Sequence, residues 1–182
     1  MRNELLAKVR DRIDRYSDRA DSRAVLEEQA LIEAGQLLDL AIQPIVETGD
    51  LDLDTELLIA IAWLHMCRDH AVPRRRRDKY DTNLTVGLFA VVANVYPQYL
   101  PPSVNGLVGR NAQTPPEPHQ LMNDSAGQLV TQFGRTGNRA ALNQAIELYR
   151  RALEVISPGH SDHPGIQTNL GAALTLRSQH TG

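Results

Sequence analysis

Cys67 is the only cysteine of the 182-residue chain, with His65 two residues before it and His70 three after. A thiol beside an imidazole is the nucleophile and base of cysteine-dependent hydrolysis, provided the two side chains meet. Residues two apart on a helix point about 200° apart, and His70 falls near a helix end with no third group to orient it. The three therefore read as a buried small thiol and a partly buried imidazole rather than as a catalytic pair. His160 and His163 form an H-x-x-H pair in the turn Ser157-Pro158-Gly159-His160-Ser161-Asp162-His163-Pro164. With no other cysteine and no acidic cluster to complete a metal site, they read as turn and cap residues. The phosphate-cradling patterns G-x-x-x-x-G-K-[ST] and G-x-G-x-x-G after a strand are absent, as is G-x-S-x-G, so neither an enzyme nor a cofactor is expected. Arg74, Arg75, Arg76 and Arg77 could grip phosphate or carboxylate in bidentate fashion. Their plainer reading is a solvated loop that neutralises the acidic helices before it; partner contact is the functional alternative.

The charges that surround these residues are unevenly spread. Residues 1–23 carry a net +2, and the stretch from Ala24 to Cys67 has no Lys or Arg and sums to −9. Residues 68–79 reverse to +4, the remainder balances, and the total is −3. Two opposed patches could attract one another or a partner. A mildly negative chain with eight aromatic residues offers little to nucleic acid, so that partner is not expected. Apolar runs are broken by charge well before the roughly 18 residues that a membrane span needs, so no membrane partner is expected either. Nothing near Met1 reads as a signal peptide, and a chain without disulfides fits a reducing cytoplasm.

Apolar residues recur at steps of three and four along most of the chain, which predicts an all-α fold. Leu26, Ala30, Leu31, Ala34, Leu37, Leu38, Ala41, Ile42 and Ile45 place one helix over 23–47, which Pro44 should kink or end. Asp52, Asp54 and Glu56 announce the next, running through Leu57, Leu58, Ile61 and Leu64 and closed by Pro73. Leu84, Leu88, Val91, Val92 and Val95 form a third stripe. Six prolines between 97 and 118 mark a linker, with Thr114-Pro115-Pro116-Glu117 resembling a helix start. Three helices near 119–134, 138–156 and 164–179 follow. Gly137 is suited to positive φ and Asn138 to capping, and Asp162 or His163 can cap ahead of Pro164. The expected organisation is thus a charged helix or tail at 1–22, a helical region at 23–97, a Pro/Gly-rich linker at 98–118 and repeats at 119–182.

Sliding the C-terminal segment by 45 residues lays Leu129 on Leu174, Thr136 on Thr181 and Gly137 on Gly182, and a fixed period points to a solenoid. Ala145, Tyr149 and Ala152 at steps of four and three, then Pro158, with Leu174 three residues past Gly171, are tetratricopeptide positions. The chain resembles the tetratricopeptide-repeat family, most specifically over residues 141–153. A degenerate copy lies upstream at Thr85, Phe89, Val92 and Pro97. The long period, the Asp162-His163-Pro164 turn, Asn169-Leu170-Gly171 and Ala62-Trp63-Leu64-His65 resemble the helical regions of bacterial proteins that carry a caspase-like CHAT protease domain.

The resemblance implies a non-enzymatic scaffold of stacked antiparallel helix pairs that binds a protein or peptide. Its inward positions would be Asn123, Thr131, Thr168 and Thr175, with Asn169 beside them. The alternative is a regulatory or sensor segment of a larger protease or signalling protein whose effector domain lies outside the chain. With one full helix pair and the first helix of another, the chain looks like part of a longer array. Leu170, Leu174 and Leu176 should then present an apolar face, and a homo-oligomer through that last helix is expected.

Overall fold

The computed structural model describes residues 1–48, 53–73, 79–95, 97–100, 104 and 115–180. Eight α-helices account for most of them: α1 Arg2–Arg19, α2 Ser22–Leu26, α3 Glu28–Thr48, α4 Thr55–Ala71, α5 Lys79–Val95, α6 Pro118–Thr136, α7 Arg139–Val155 and α8 His163–Gln179, with one 3₁₀ turn at Pro97–Tyr99. No strand occurs among the described residues, and the fold is all-α.

Local chemistry sets several of the boundaries. Asp54 accepts the N–H of Leu57 ahead of α4, and Asn138 accepts that of Ala140 ahead of α7. Gly137 closes α6 at φ 71°, a left-handed conformation that a Cβ would strain. The α6 start differs from expectation: Glu117 is the cap, Pro118 the first helical residue, and Gln120 Oε1 accepts the Glu117 N–H at 3.0 Å. Pro118 has no N–H to lose at that position, which is why the onset falls there. Asp162 caps α8 only by position; its carboxylate is engaged elsewhere.

The stripe expected to make one helix over 23–47 is broken at Glu27, where ψ turns to 144°. The cause lies in α1. Arg12, buried, bonds Glu33 at 2.6 Å, the Ala24 carbonyl at 2.6 Å and Glu27 at 2.9 Å, so that α2 and α3 meet around one guanidinium. The N-terminal segment is accordingly a packed helix, with Leu6 and Val9 in the core. Pro44 does not end α3, which runs on to Thr48. The Ala41 carbonyl, three residues before the proline, accepts the Asp54 N–H at 3.3 Å and ties this part of α3 to the start of α4.

The broadest contacts are between α4 and α5, α6 and α7, and α7 and α8, and α3 touches both α1 and α4 of the N-terminal half and α6 and α7 of the C-terminal half. A single apolar core runs from Leu6 to Ala173. Of the described residues in the proline-rich stretch, Val104 is buried, and Pro116 lies over Gly87 of α5 so closely that a Cβ there would meet its ring at 3.0 Å.

Candidate functional site

Three helices converge on a buried carboxylate. α5 carries Asp81 one turn before Leu84 and Thr85 on its inward face, α4 brings His65 and Arg68, and α6 brings Gln128. Asp81 Oδ1 receives hydrogen bonds from His65 Nδ1 at 2.7 Å, Gln128 Nε2 at 3.0 Å and Arg68 Nε at 3.1 Å. Arg68 also donates to the Val25 carbonyl, tying α2 into the cluster. Burial pushes the Asp81 carboxyl up, but the donors from His65, Arg68 and Gln128 outweigh it and hold the group down at about 2. The imidazole is engaged with Asp81 through Nδ1, and its Nε2 is buried without a partner among the described residues.

Arg68, Asp81 and Gln128 back a cleft of about 650 Å³ that continues past Thr131 and Gln132 of α6 to Leu26. Gln132 donates through Nε2 to the Glu28 carbonyl at 3.1 Å, while its Oε1 is buried with no partner among the described residues. Leu26, assigned to the buried stripe by its spacing, is instead 40% exposed; with Met1 it is one of two exposed large apolar residues among those described. The break at Glu27 turns it outward. The cleft therefore pairs a rigid polar back with an aliphatic rim, an arrangement suited to binding.

Cys67 lies on α4 beside this network but takes no part in it. Its thiol is buried, and burial pushes its pKa up against the lowering effect of a hydrogen bond with Ser17. The imidazole two residues before it points to Asp81, so the structure supplies the orienting group that sequence reasoning missed, on a histidine that faces away from the thiol. That signal was present in the sequence: Asp81 and His65 stand in register with the apolar stripes of their helices.

The inward positions implied by the repeat fall in three places. Asn169 Nδ2 donates to Asn123 Oδ1 at 3.0 Å, joining α8 to α6 across the mouth of a shallow pocket that also holds Asp162. Thr131 lines the cleft, with its hydroxyl donating to the Gly127 carbonyl. Thr168 and Thr175 are exposed, their hydroxyls donating to carbonyls one turn back, at Pro164 and Gly171. Arg74, Arg75, Arg76 and Arg77 lie outside the described residues. Leu170, Leu174 and Leu176, expected to be bare, are half-buried against the core, and Gly171 packs against nothing within 4 Å of where its Cβ would be.

A second cluster joins the starts of α6 and α8. Buried His119 faces Glu117 through Nδ1 at 3.3 Å and Asp162 through Nε2 at 3.1 Å, and the ring of His160 stands edge-on to it with centroids 4.9 Å apart. Where the sequence paired His160 with His163, the fold pairs it with His119 and Glu117, and these three could approach one cation. The geometry of His160 opposes that. Its Nδ1 accepts the Asp162 N–H at 3.1 Å, which leaves the ring hydrogen on Nε2, the atom nearest Glu117, with no lone pair there for a metal. The cluster serves to dock α8 on α6. The hydrogen bonds from His119 and Gln120 also hold the Asp162 carboxyl below its ordinary range.

In comparisons with known proteins, no family profile, curated protein or solved structure matches the chain.

Proposed function

We propose that the chain is a non-enzymatic interaction scaffold of the tetratricopeptide kind, working in the cytoplasm, and that the cleft backed by Arg68, Asp81 and Gln128 receives a protein or peptide segment. The observation that carries this reading is the face of α6. Gln128, Thr131 and Gln132 line the cleft in helical register, and Gln132 keeps a buried acceptor unpaired among the described residues. An unpaired buried acceptor costs on the order of 1–3 kcal/mol, which a donor such as a backbone N–H of an extended segment would recover. Leu26 supplies the apolar contact beside it. The nesting of α7 between α6 and α8, with Ala145, Tyr149 and Ala152 all buried, supports a repeat-like stacking of helix pairs.

Thr131→Arg places a long side chain across the cleft from a half-buried helical position. When a peptide library is titrated against the purified chain, sequences that bind the wild type should lose at least about tenfold affinity in this variant, with far-UV circular dichroism unchanged. Undiminished binding would remove the cleft from the proposal, and cleavage of a bound peptide would remove the non-enzymatic reading.

A further inference from the structure

A groove of about 760 Å³ runs between α1 and α4, separate from the cleft. Its floor is apolar: Ile13 from α1, then Ile59, Ala60 and Trp63 at helical spacing on α4. Trp63 is the only tryptophan of the chain, and Phe89 braces it from the core with ring centroids 5.9 Å apart and planes at 86°. Three charged groups rim the groove, and two of them cancel. Arg10 and Glu56 pair at 2.8 Å, and Glu56 is held by Arg2 as well at 2.9 Å. Asp14 is exposed and makes no hydrogen bond or ion pair among the described residues, so the lining carries one uncompensated negative charge above an aromatic and aliphatic floor. The α4 wall also belongs to the stretch between Ala24 and Cys67 that has no basic residue and sums to −9.

We propose that this groove binds a basic, aliphatic segment of a partner protein, seating a Lys or Arg side chain. The methylene stem would lie on Ile13 and Ile59, and the charge would meet the Asp14 carboxylate and the Trp63 ring. Lys and Arg bury their stems on apolar surface while keeping the charged head near water, and cations are attracted to the face of an indole. An acidic segment gains nothing here, because its charge would meet Asp14. A purely apolar segment would leave Asp14 unanswered.

Since no other tryptophan contributes, Trp63 emission reports this groove alone. The test titrates the full chain with a capped five-residue peptide alternating Leu and Arg, and with the same peptide carrying Glu for Arg. The Leu/Arg peptide should shift the emission saturably, more weakly as salt is raised, and the Leu/Glu peptide should not. Asp14→Arg should weaken binding at least tenfold, and Asp14→Asn about fivefold, the scale of one exposed charge pair; the second variant guards against misfolding of the first. Thr131→Arg should leave this titration unchanged, which separates the groove from the cleft. No shift up to millimolar Leu/Arg peptide, an equal response to Leu/Glu peptide, or full affinity in both Asp14 variants would overturn the proposal.

Discussion

Asp81 shows how one atom can order a fold. Its Oδ1 gathers donors from α4 and α6, and its removal leaves the Arg68 guanidinium buried beside no charge. Asp81→Asn should cost about 3–5 kcal/mol at neutral pH, read from the urea midpoint. The pH dependence has a definite sign. The carboxyl ionises near 3.8 when exposed and at about 2 in the fold, so its contribution is complete above pH 4 and is lost as pH falls toward 2. That linkage is worth about 2 kcal/mol. The gap between wild type and Asp81→Asn should narrow by about that amount over the window, and a stability gap that stays constant from pH 5 to pH 2 would show that Asp81 is not the linked group. Cys67 makes a second residue-scale prediction. A buried thiol whose pKa is pushed up presents little thiolate, so it should react with iodoacetamide far more slowly than free cysteine at pH 8 and at the ordinary rate once urea unfolds the chain.

Two glycines set the element scale apart. Gly35 sits where α3 approaches α6 and α7, and a Cβ there would meet Leu129 Cδ1 and Gln144 Cγ at 3.1 Å. Leu129 is buried and cannot withdraw, so Gly35→Val should destabilise by about 1–3 kcal/mol through overpacking. Gly171 meets nothing, and Gly171→Ala in the middle of α8 should stabilise by about 0.5–1 kcal/mol; paired thermal melts distinguish the two. The contrast also shows where sequence reading stops. Periodicity revealed the helices, and the acidic start of α4 around Asp54 and the turn at Gly137 and Asn138 were legible because each is decided within a few residues. The break at Glu27 was not, because Arg12 imposes it from another helix. His65 and Asp81 stand in register with their apolar stripes, but the meeting of Asp81 with Arg68 and Gln128, and of His119 with Asp162, was hidden for the same reason: these partners lie 13, 47 and 43 residues apart. Gly171 stands at a repeat position by its spacing to Leu174, but among the described residues nothing lies within 4 Å of where its Cβ would be.

At the scale of the whole molecule, α3 decides how the chain behaves. Leu37 and Leu38 are buried in the core shared by both halves. Polar ties repeat the connection: Arg151 of α7 bonds Asp39 at 3.1 Å, Asn138 bonds Glu28 at 2.9 Å, and Gln132 bonds the Glu28 carbonyl. Burial raises the Asp39 pKa even with Arg151 beside it, so that tie contributes little of its own, and the apolar seam must carry most of the coupling. Residues joined through one seam should unfold together. Trp63 reports the half built around α4, and far-UV circular dichroism reports every helix; heated together, the two signals should trace one coincident transition. Leu37→Ala should lower both midpoints equally, by a destabilisation of about 2–5 kcal/mol. Midpoints that separate, with Trp63 released before or after the bulk of the helix signal, would mean that α3 belongs to one half alone and that the helices from α6 onward fold as a separate unit.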